Sequence, residues 1–195
     1  MDINKILTLI FGAIFINNFI FSRFLGLCPF FGVSKKIDSA IGMGFAATFV
    51  LVMSTAVIFP VNYYILVPLH LDKFLQIIVF IFVIAAFVQL VELALKKLIP
   101  SLYHMLGIYL PLITTNCAIL GTAFIVVGEK YTFIESIIFA LSAGLGFTLA
   151  LIMMAGVRER LVRAKVPKAF KDLPIAFISA ALMSLAMFGF IGIVK

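Results

Sequence analysis

Two thiols stand out as the chemically capable groups of this chain. Cys28 lies in LGLCPFFG (Leu25 to Gly32) and Cys117 in NCAILG (Asn116 to Gly121), each with glycine four positions later. They are the only cysteines, 89 residues apart, and each sits inside a long apolar run. A cysteine–proline pair is unusual in a membrane-crossing helix, because proline removes a backbone donor and disrupts the turn before it. The possible uses of such thiols differ in what they require. A free cysteine can simply be a small buried hydrophobe. Zinc asks for a closed four-ligand site, and no histidine lies close in sequence to either thiol. A disulfide switch needs no disrupted helices. An iron–sulfur cluster in its commonest form needs four thiolates. This chain supplies two, so a partner of the same architecture would own the rest.

Little else offers chemistry. No Gly-rich phosphate loop, catalytic triad or metalloprotease signature occurs. Arg23, five residues before Cys28, is an intramembrane charge and hence a functional candidate that could offset the negative charge of a thiolate-ligated cluster, although snorkelling or pairing with a neighbouring subunit is the plainer account. Glu92 and Lys96 have the spacing of a surface ion pair. Glu135 opens an apolar run, where negative charge suits the helix dipole. His70 and His104 stand isolated near span ends.

The elements that must position the thiols are membrane spans. The chain has 195 residues, 65% hydrophobic and only 12% charged; a soluble domain of this size cannot hide so much apolar surface. Six apolar runs, near or above the ~20 residues a helix needs to cross a bilayer, extend roughly over 3–33, 40–61, 75–95, 102–127, 133–157 and 173–194. Residues 63–71 read as an interfacial turn between the second and third. The net charge of +7 comes from clustered basic residues. Ten Lys and Arg fall after the first, third and fifth runs, and four (Lys5, Lys73, Lys130, Lys195) on the opposite side. The positive-inside rule then puts the odd-numbered loops in the cytoplasm and both termini outside. The basic stretch from Arg158 to Asp172 reads as a positive-inside anchor, long enough to dock a soluble subunit or an anionic lipid as well.

The runs also repeat. Gly-x-Gly-Phe occurs at Gly42–Phe45 and at Gly144–Phe147, 102 residues apart, in the same order as the cysteine motifs. Residues 1–98 and 99–195 thus read as duplicated three-span units, and an odd number of spans inserts the second copy upside down. Cys28 lies roughly 10 Å from the cytoplasmic edge and Cys117 roughly 18 Å from the outer one, both near mid-depth. The first run carries Asn17, Asn18, Ser22, Gly26 and Pro29, and the fourth carries Pro111, Thr114, Thr115, Asn116 and Gly121. Both helices are therefore expected to break, and irregular backbone at that depth survives only when buried in protein or lining a cavity. The expected fold is an all-α integral membrane protein: six transmembrane helices in two inverted three-helix repeats, the first and fourth helices broken.

The runs INNFIFSRFLGLCPFFGVSKK, LGIYLPLITTNCAILG and GVRERL closely resemble RnfA-type subunits, members of the family that also includes NqrE-type subunits of the sodium-pumping quinone reductase. The Asn17–Asn18 and Cys28–Pro29 pairs are nearer to the RnfA type. The resemblance covers the whole chain and implies a membrane subunit of the Rnf (in some bacteria Rsx) ion-translocating ferredoxin:NAD oxidoreductase of the bacterial inner membrane. It implies a pseudo-symmetric pair with an RnfE-like homologue inserted in the opposite orientation, in the company of RnfB-, RnfC-, RnfD- and RnfG-type subunits. It further implies a mid-membrane [2Fe–2S] cluster held by two cysteines from each chain, here Cys28 and Cys117. That cluster relays electrons between cytosolic iron–sulfur domains and covalently bound flavin outside, coupled to export of Na+ or H+. On this reading the chain has no active site of its own and belongs to a redox-driven translocase. The alternatives are a small inverted-repeat secondary transporter and a structural scaffold.

Overall fold

Every regular element among the described residues is helical. The computed structural model describes residues 3–68, 73–98, 112–113 and 115–189. His70, His104, Pro111, Thr114, most of the first half of the fourth apolar run and the end of the sixth lie outside them.

The first apolar run is not one helix. It forms α1 (Ile3–Phe11), a π turn (Gly12–Ile16), an irregular stretch over 17–26 and a short second helix, α2 (Leu27–Val33). The second run forms α3 (Ile37–Val61) and the third α4 (Lys73–Leu98). The described part of the fourth contains α5 (Cys117–Gly128); α6 (Phe133–Val162) and α7 (Leu173–Phe188) follow. At about 1.5 Å per residue, α3 and α6 are roughly 38 and 45 Å long, enough to cross a hydrocarbon core of about 30 Å.

Two boundaries differ from the sequence reading. The helix of the second run does not stop before Tyr63. Pro60 lies inside α3, and the chain continues through a π turn (Asn62–Leu66), with the Val67 N–H bonded to the Asn62 carbonyl at 3.0 Å. Proline withholds one backbone donor, and the wider turn restores the ladder beyond it. Tyr63 and Tyr64 are exposed on this helix end, as in an aromatic belt, and residues 69–71 of the expected turn lie outside the described residues. The fifth helix likewise runs past Val157 to Val162, so Arg158 and Arg160 stand on α6 and not in a loop.

The N-terminus of α6 carries a capping box. Glu135 N–H donates to Thr132 Oγ1, and Thr132 N–H donates to Glu135 Oε2 at 3.0 Å. Glu135 also pairs with Lys5 on α1 at 2.7 Å.

The core is the crossing of α3 and α6, the largest helix–helix contact. Both helices are strongly apolar, as membrane helices are, and small residues let them approach: Ala40, Gly44 and Ala47 on α3 and Ala140, Ala143, Gly144 and Ala150 on α6 are all buried. Large apolar side chains such as Phe45, Phe82 and Leu185 are exposed on the outside, which suits a lipid or subunit environment.

Candidate functional site

The site is the irregular stretch of the first run, seated against the start of α5. Asn18 holds the break in place. Its side chain is fully buried and serves backbone groups that the lost helix leaves free. Nδ2 donates to the carbonyls of Ile14 (3.0 Å) and Gly146 (2.8 Å), and Oδ1 accepts from the N–H groups of Ile20 (3.0 Å) and Phe21 (3.5 Å). Gly146 permits this, because a Cβ there would stand 3.0 Å from Ile14 Cα and 3.1 Å from its carbonyl oxygen. Ser184 on α7 adds a hydrogen bond to the Phe21 carbonyl at 2.6 Å.

The break ends at Gly26, which has φ +79° and caps α2. Only glycine takes this left-handed conformation without cost, and a Cβ would lie 2.6 Å from Phe147 Cε2. The Gly26 N–H donates to Cys117 Sγ at 2.9 Å. The backbone two residues before one cysteine is therefore hydrogen-bonded to the other thiol. Cys28 falls in the first turn of α2, and Cys117 is the first residue of α5. Both thiols are free and exposed.

The Cys-x-x-x-Gly spacing acquires a physical reason here. Residues four apart share one helix face. A Cβ on Gly121 would sit 2.6 Å from Leu25 Cδ1, and one on Gly32 would sit 3.4 Å from Leu112 Cδ1. Each motif's glycine is a seat for a leucine from the segment leading to the other cysteine.

Asn116 caps α5, its Oδ1 accepting from the Ala118 N–H at 3.0 Å. Its Nδ2 is buried without a hydrogen-bond partner, leaving one open donor on the residue before Cys117. A negatively charged ligand at the first turn of α5 would meet the positive end of the helix dipole. Among the described residues no group of three or more His, Cys, Asp or Glu gathers. A four-ligand centre on these thiols would draw its other ligands from elsewhere.

The far end of α2 is held by a residue that the sequence marks only as part of a basic anchor. Arg158, nine-tenths buried, donates from Nη1 to the Phe31 carbonyl at 2.8 Å and to Ser34 Oγ at 3.0 Å. It thereby satisfies a carbonyl that the end of a helix leaves open. A signal for this was present: Gly144, Phe147, Leu151, Met154 and Arg158 follow the helical period of one buried stripe. Arg23, by contrast, is exposed within the irregular stretch and makes no hydrogen bond to another described residue.

Comparison with known proteins agrees with this frame. The model of the Rnf-Nqr subunit family, membrane proteins, matches residues 6–194. One subunit of the Na(+)-translocating ferredoxin:NAD(+) oxidoreductase complex of Acetobacterium woodii is 56% identical over 189 residues, 95% of this chain and 98% of that one. Subunits of ion-translocating oxidoreductase complexes from Psychromonas ingrahamii and Syntrophotalea carbinolica are 54% and 50% identical, covering 96% and 97% of this chain and 97% and 98% of theirs. This chain belongs to the Rnf-Nqr family of membrane subunits.

Proposed function

We propose that this chain is the transmembrane electron-carrying subunit of an ion-translocating ferredoxin:NAD oxidoreductase complex, and that Cys28 and Cys117 hold half of a [2Fe–2S] cluster shared with a homologous subunit. The Acetobacterium woodii relative is a subunit of such a complex, and the other two are subunits of ion-translocating oxidoreductase complexes. The observation that carries the cluster assignment is the Gly26 N–H to Cys117 Sγ contact. It ties the two cysteine segments together while both thiols stay exposed, so that a second chain can approach them. Thiolate is the usual iron–sulfur ligand, and hydrogen bonds to sulfur tune such a centre. The cluster would supply one-electron transfer at mid-membrane. The chain's own part is positional: Gly26 donates to sulfur, Asn116 caps the helix that starts at Cys117, and buried Phe19 and Phe147 pack behind the break and keep water out.

The same proposal covers the membrane arrangement: six spans in two inverted units, 1–98 and 99–195, broken in the first and fourth, with both termini on the outer side of a bacterial inner membrane. The reciprocal seating of Leu25 on Gly121 and Leu112 on Gly32 supports it. So does the ten-to-four division of Lys and Arg. An RnfE-like homologue in the opposite orientation is the partner that would bring two further thiolates, within a complex containing RnfB-, RnfC-, RnfD- and RnfG-type subunits. The ion exported is Na+ or H+.

The test is Cys28→Ser and Cys117→Ser in the purified complex. Each variant is expected to assemble, to lose about two irons and the matching EPR signal, and to stop electron transfer across the membrane while cytosolic NADH-linked chemistry survives. Normal iron, signal and transfer in either variant would reduce the thiols to packing residues and put a small secondary transporter in first place.

A further inference from the structure

We propose that the pocket where the end of α6, residues 163–172 and the start of α7 meet binds the phosphate of an anionic phospholipid headgroup. The pocket has a volume of about 460 Å³, within the range of sites that take small ligands. Lys35, Arg158, Lys165, Lys168 and Lys171 line it, with Asp172 as the one carboxylate. So strong an excess of like charge repels itself unless an anion enters.

Two features point into this space besides the lysines. Arg158 lines the pocket although it is nine-tenths buried, and both of its hydrogen bonds use Nη1. Its Nη2 and Nε keep donor capacity suited to phosphate oxygens. The second feature is the N-terminus of α7, a helix of 16 residues. Asp172 precedes it at φ +71° and its side chain caps nothing. The N–H groups of Leu173 and Ile175 (Pro174 has none) and the positive end of the helix dipole are thus not taken by a side-chain cap.

Depth favours a lipid over a soluble anion. Arg158 stands 25 residues beyond Phe133 on the same helix, about 38 Å along its axis. A hydrocarbon core of about 30 Å is already crossed there, so the pocket lies at headgroup level. Leu161, Val162 and Ile175 form an apolar wall on which the glycerol end of a lipid can rest. The site also bears on the thiols, because Arg158 joins the pocket to the end of α2, whose first turn carries Cys28.

The experiment compares the thermal midpoint of the purified complex in nanodiscs of phosphatidylcholine alone and of phosphatidylcholine with phosphatidylglycerol. The anionic lipid should raise the midpoint of the natural chain by several degrees. It should do so far less for the triple variant Lys165→Gln, Lys168→Gln, Lys171→Gln, and more for Asp172→Asn. Millimolar inorganic phosphate should leave the midpoint in phosphatidylcholine unchanged. An equal lipid shift in the triple variant would overturn the site. An equal shift from inorganic phosphate would make it a free-phosphate site. If the triple variant instead keeps its lipid response but sheds a soluble protein of the complex, the pocket is a protein-docking surface and the lipid assignment fails.

Discussion

Thr48 and Thr148 face each other where α3 crosses α6, their hydroxyl oxygens 3.3 Å apart. Each hydroxyl donates to the carbonyl one turn back on its own helix, Thr48 to Gly44 and Thr148 to Gly144, both at 2.8 Å. Each side chain also fills the space over the glycine of the other helix. A Cβ on Gly44 would be 2.5 Å from Thr148 Cγ2, and one on Gly144 would be 2.6 Å from Thr48 Cγ2. The relationship is reciprocal, as a two-fold crossing requires.

The first prediction follows from that fit. Gly44→Ala or Gly144→Ala places a methyl where threonine already stands, and the blocking atoms include the threonine Cβ, which no rotamer removes. Overpacking of this kind costs about 1–3 kcal/mol, so either variant should lower the thermal midpoint of the purified protein. Gly44→Ala combined with Thr148→Gly should recover part of the loss, because the swap restores one small partner at the crossing. Two independent, additive losses in the double variant would show that the contact is not the cause.

The crossing also shows how far the sequence could be read. Its Gly-x-Gly-Phe match aligns residues 102 apart, whereas the reciprocal contacts, Gly44 with Thr148 and Gly144 with Thr48, make counterparts of residues 100 apart. The motif glycines are not equivalent in use: Gly146 admits the backbone of the π turn, while nothing lies within 4 Å of a Cβ on Gly42. The recurrence of small residues was legible, and both copies of the motif do lie on the crossing helices α3 and α6. Register was not legible, because a sequence match cannot say which neighbour each glycine admits. The break in the first run was legible from Asn18, Gly26 and Pro29, all costly inside an uninterrupted span. That Asn18 would serve four backbone groups, one of them on α6, depends on tertiary neighbours that local sequence does not encode. The π turn beyond α3 was missed because Pro60 and Pro68 bracket it, and the end of α6 was misplaced because loss of hydropathy was read as loss of helix. A helix can leave hydrocarbon and continue, as α6 does through Arg158.

Gly26→Ala is the second prediction. The substitution meets a left-handed backbone and a ring carbon 2.6 Å from the new methyl. Strain of about 1–3 kcal/mol is expected, relieved by moving the turn that donates to Cys117. In metal-free protein, Cys117 should then react faster with a maleimide than in the natural chain, with Cys28 less affected. An unchanged labelling rate together with a lowered thermal midpoint would mean that the glycine serves packing alone and not the position of the thiol.

Arg158 supplies the last prediction. Its guanidinium reaches the Phe31 carbonyl and Ser34 Oγ from a site that is nine-tenths buried. Arg158→Met fills similar space but leaves the end of α2 without its donor, a loss of roughly 1–3 kcal/mol for a buried acceptor left unpaired. Arg158→Lys keeps the charge, but its ammonium lies one bond nearer the backbone than the Nη1 that serves both acceptors. It is also more strongly hydrated, so its burial costs more. Stability in detergent free of anionic lipid should therefore fall in the order arginine, lysine, methionine. Amide exchange in α2 should quicken in the same order while exchange at the α3–α6 crossing changes little. If lysine matched arginine on both measures, charge alone would account for Arg158, and its hydrogen bonds to the half-helix that bears Cys28 would contribute nothing to holding it.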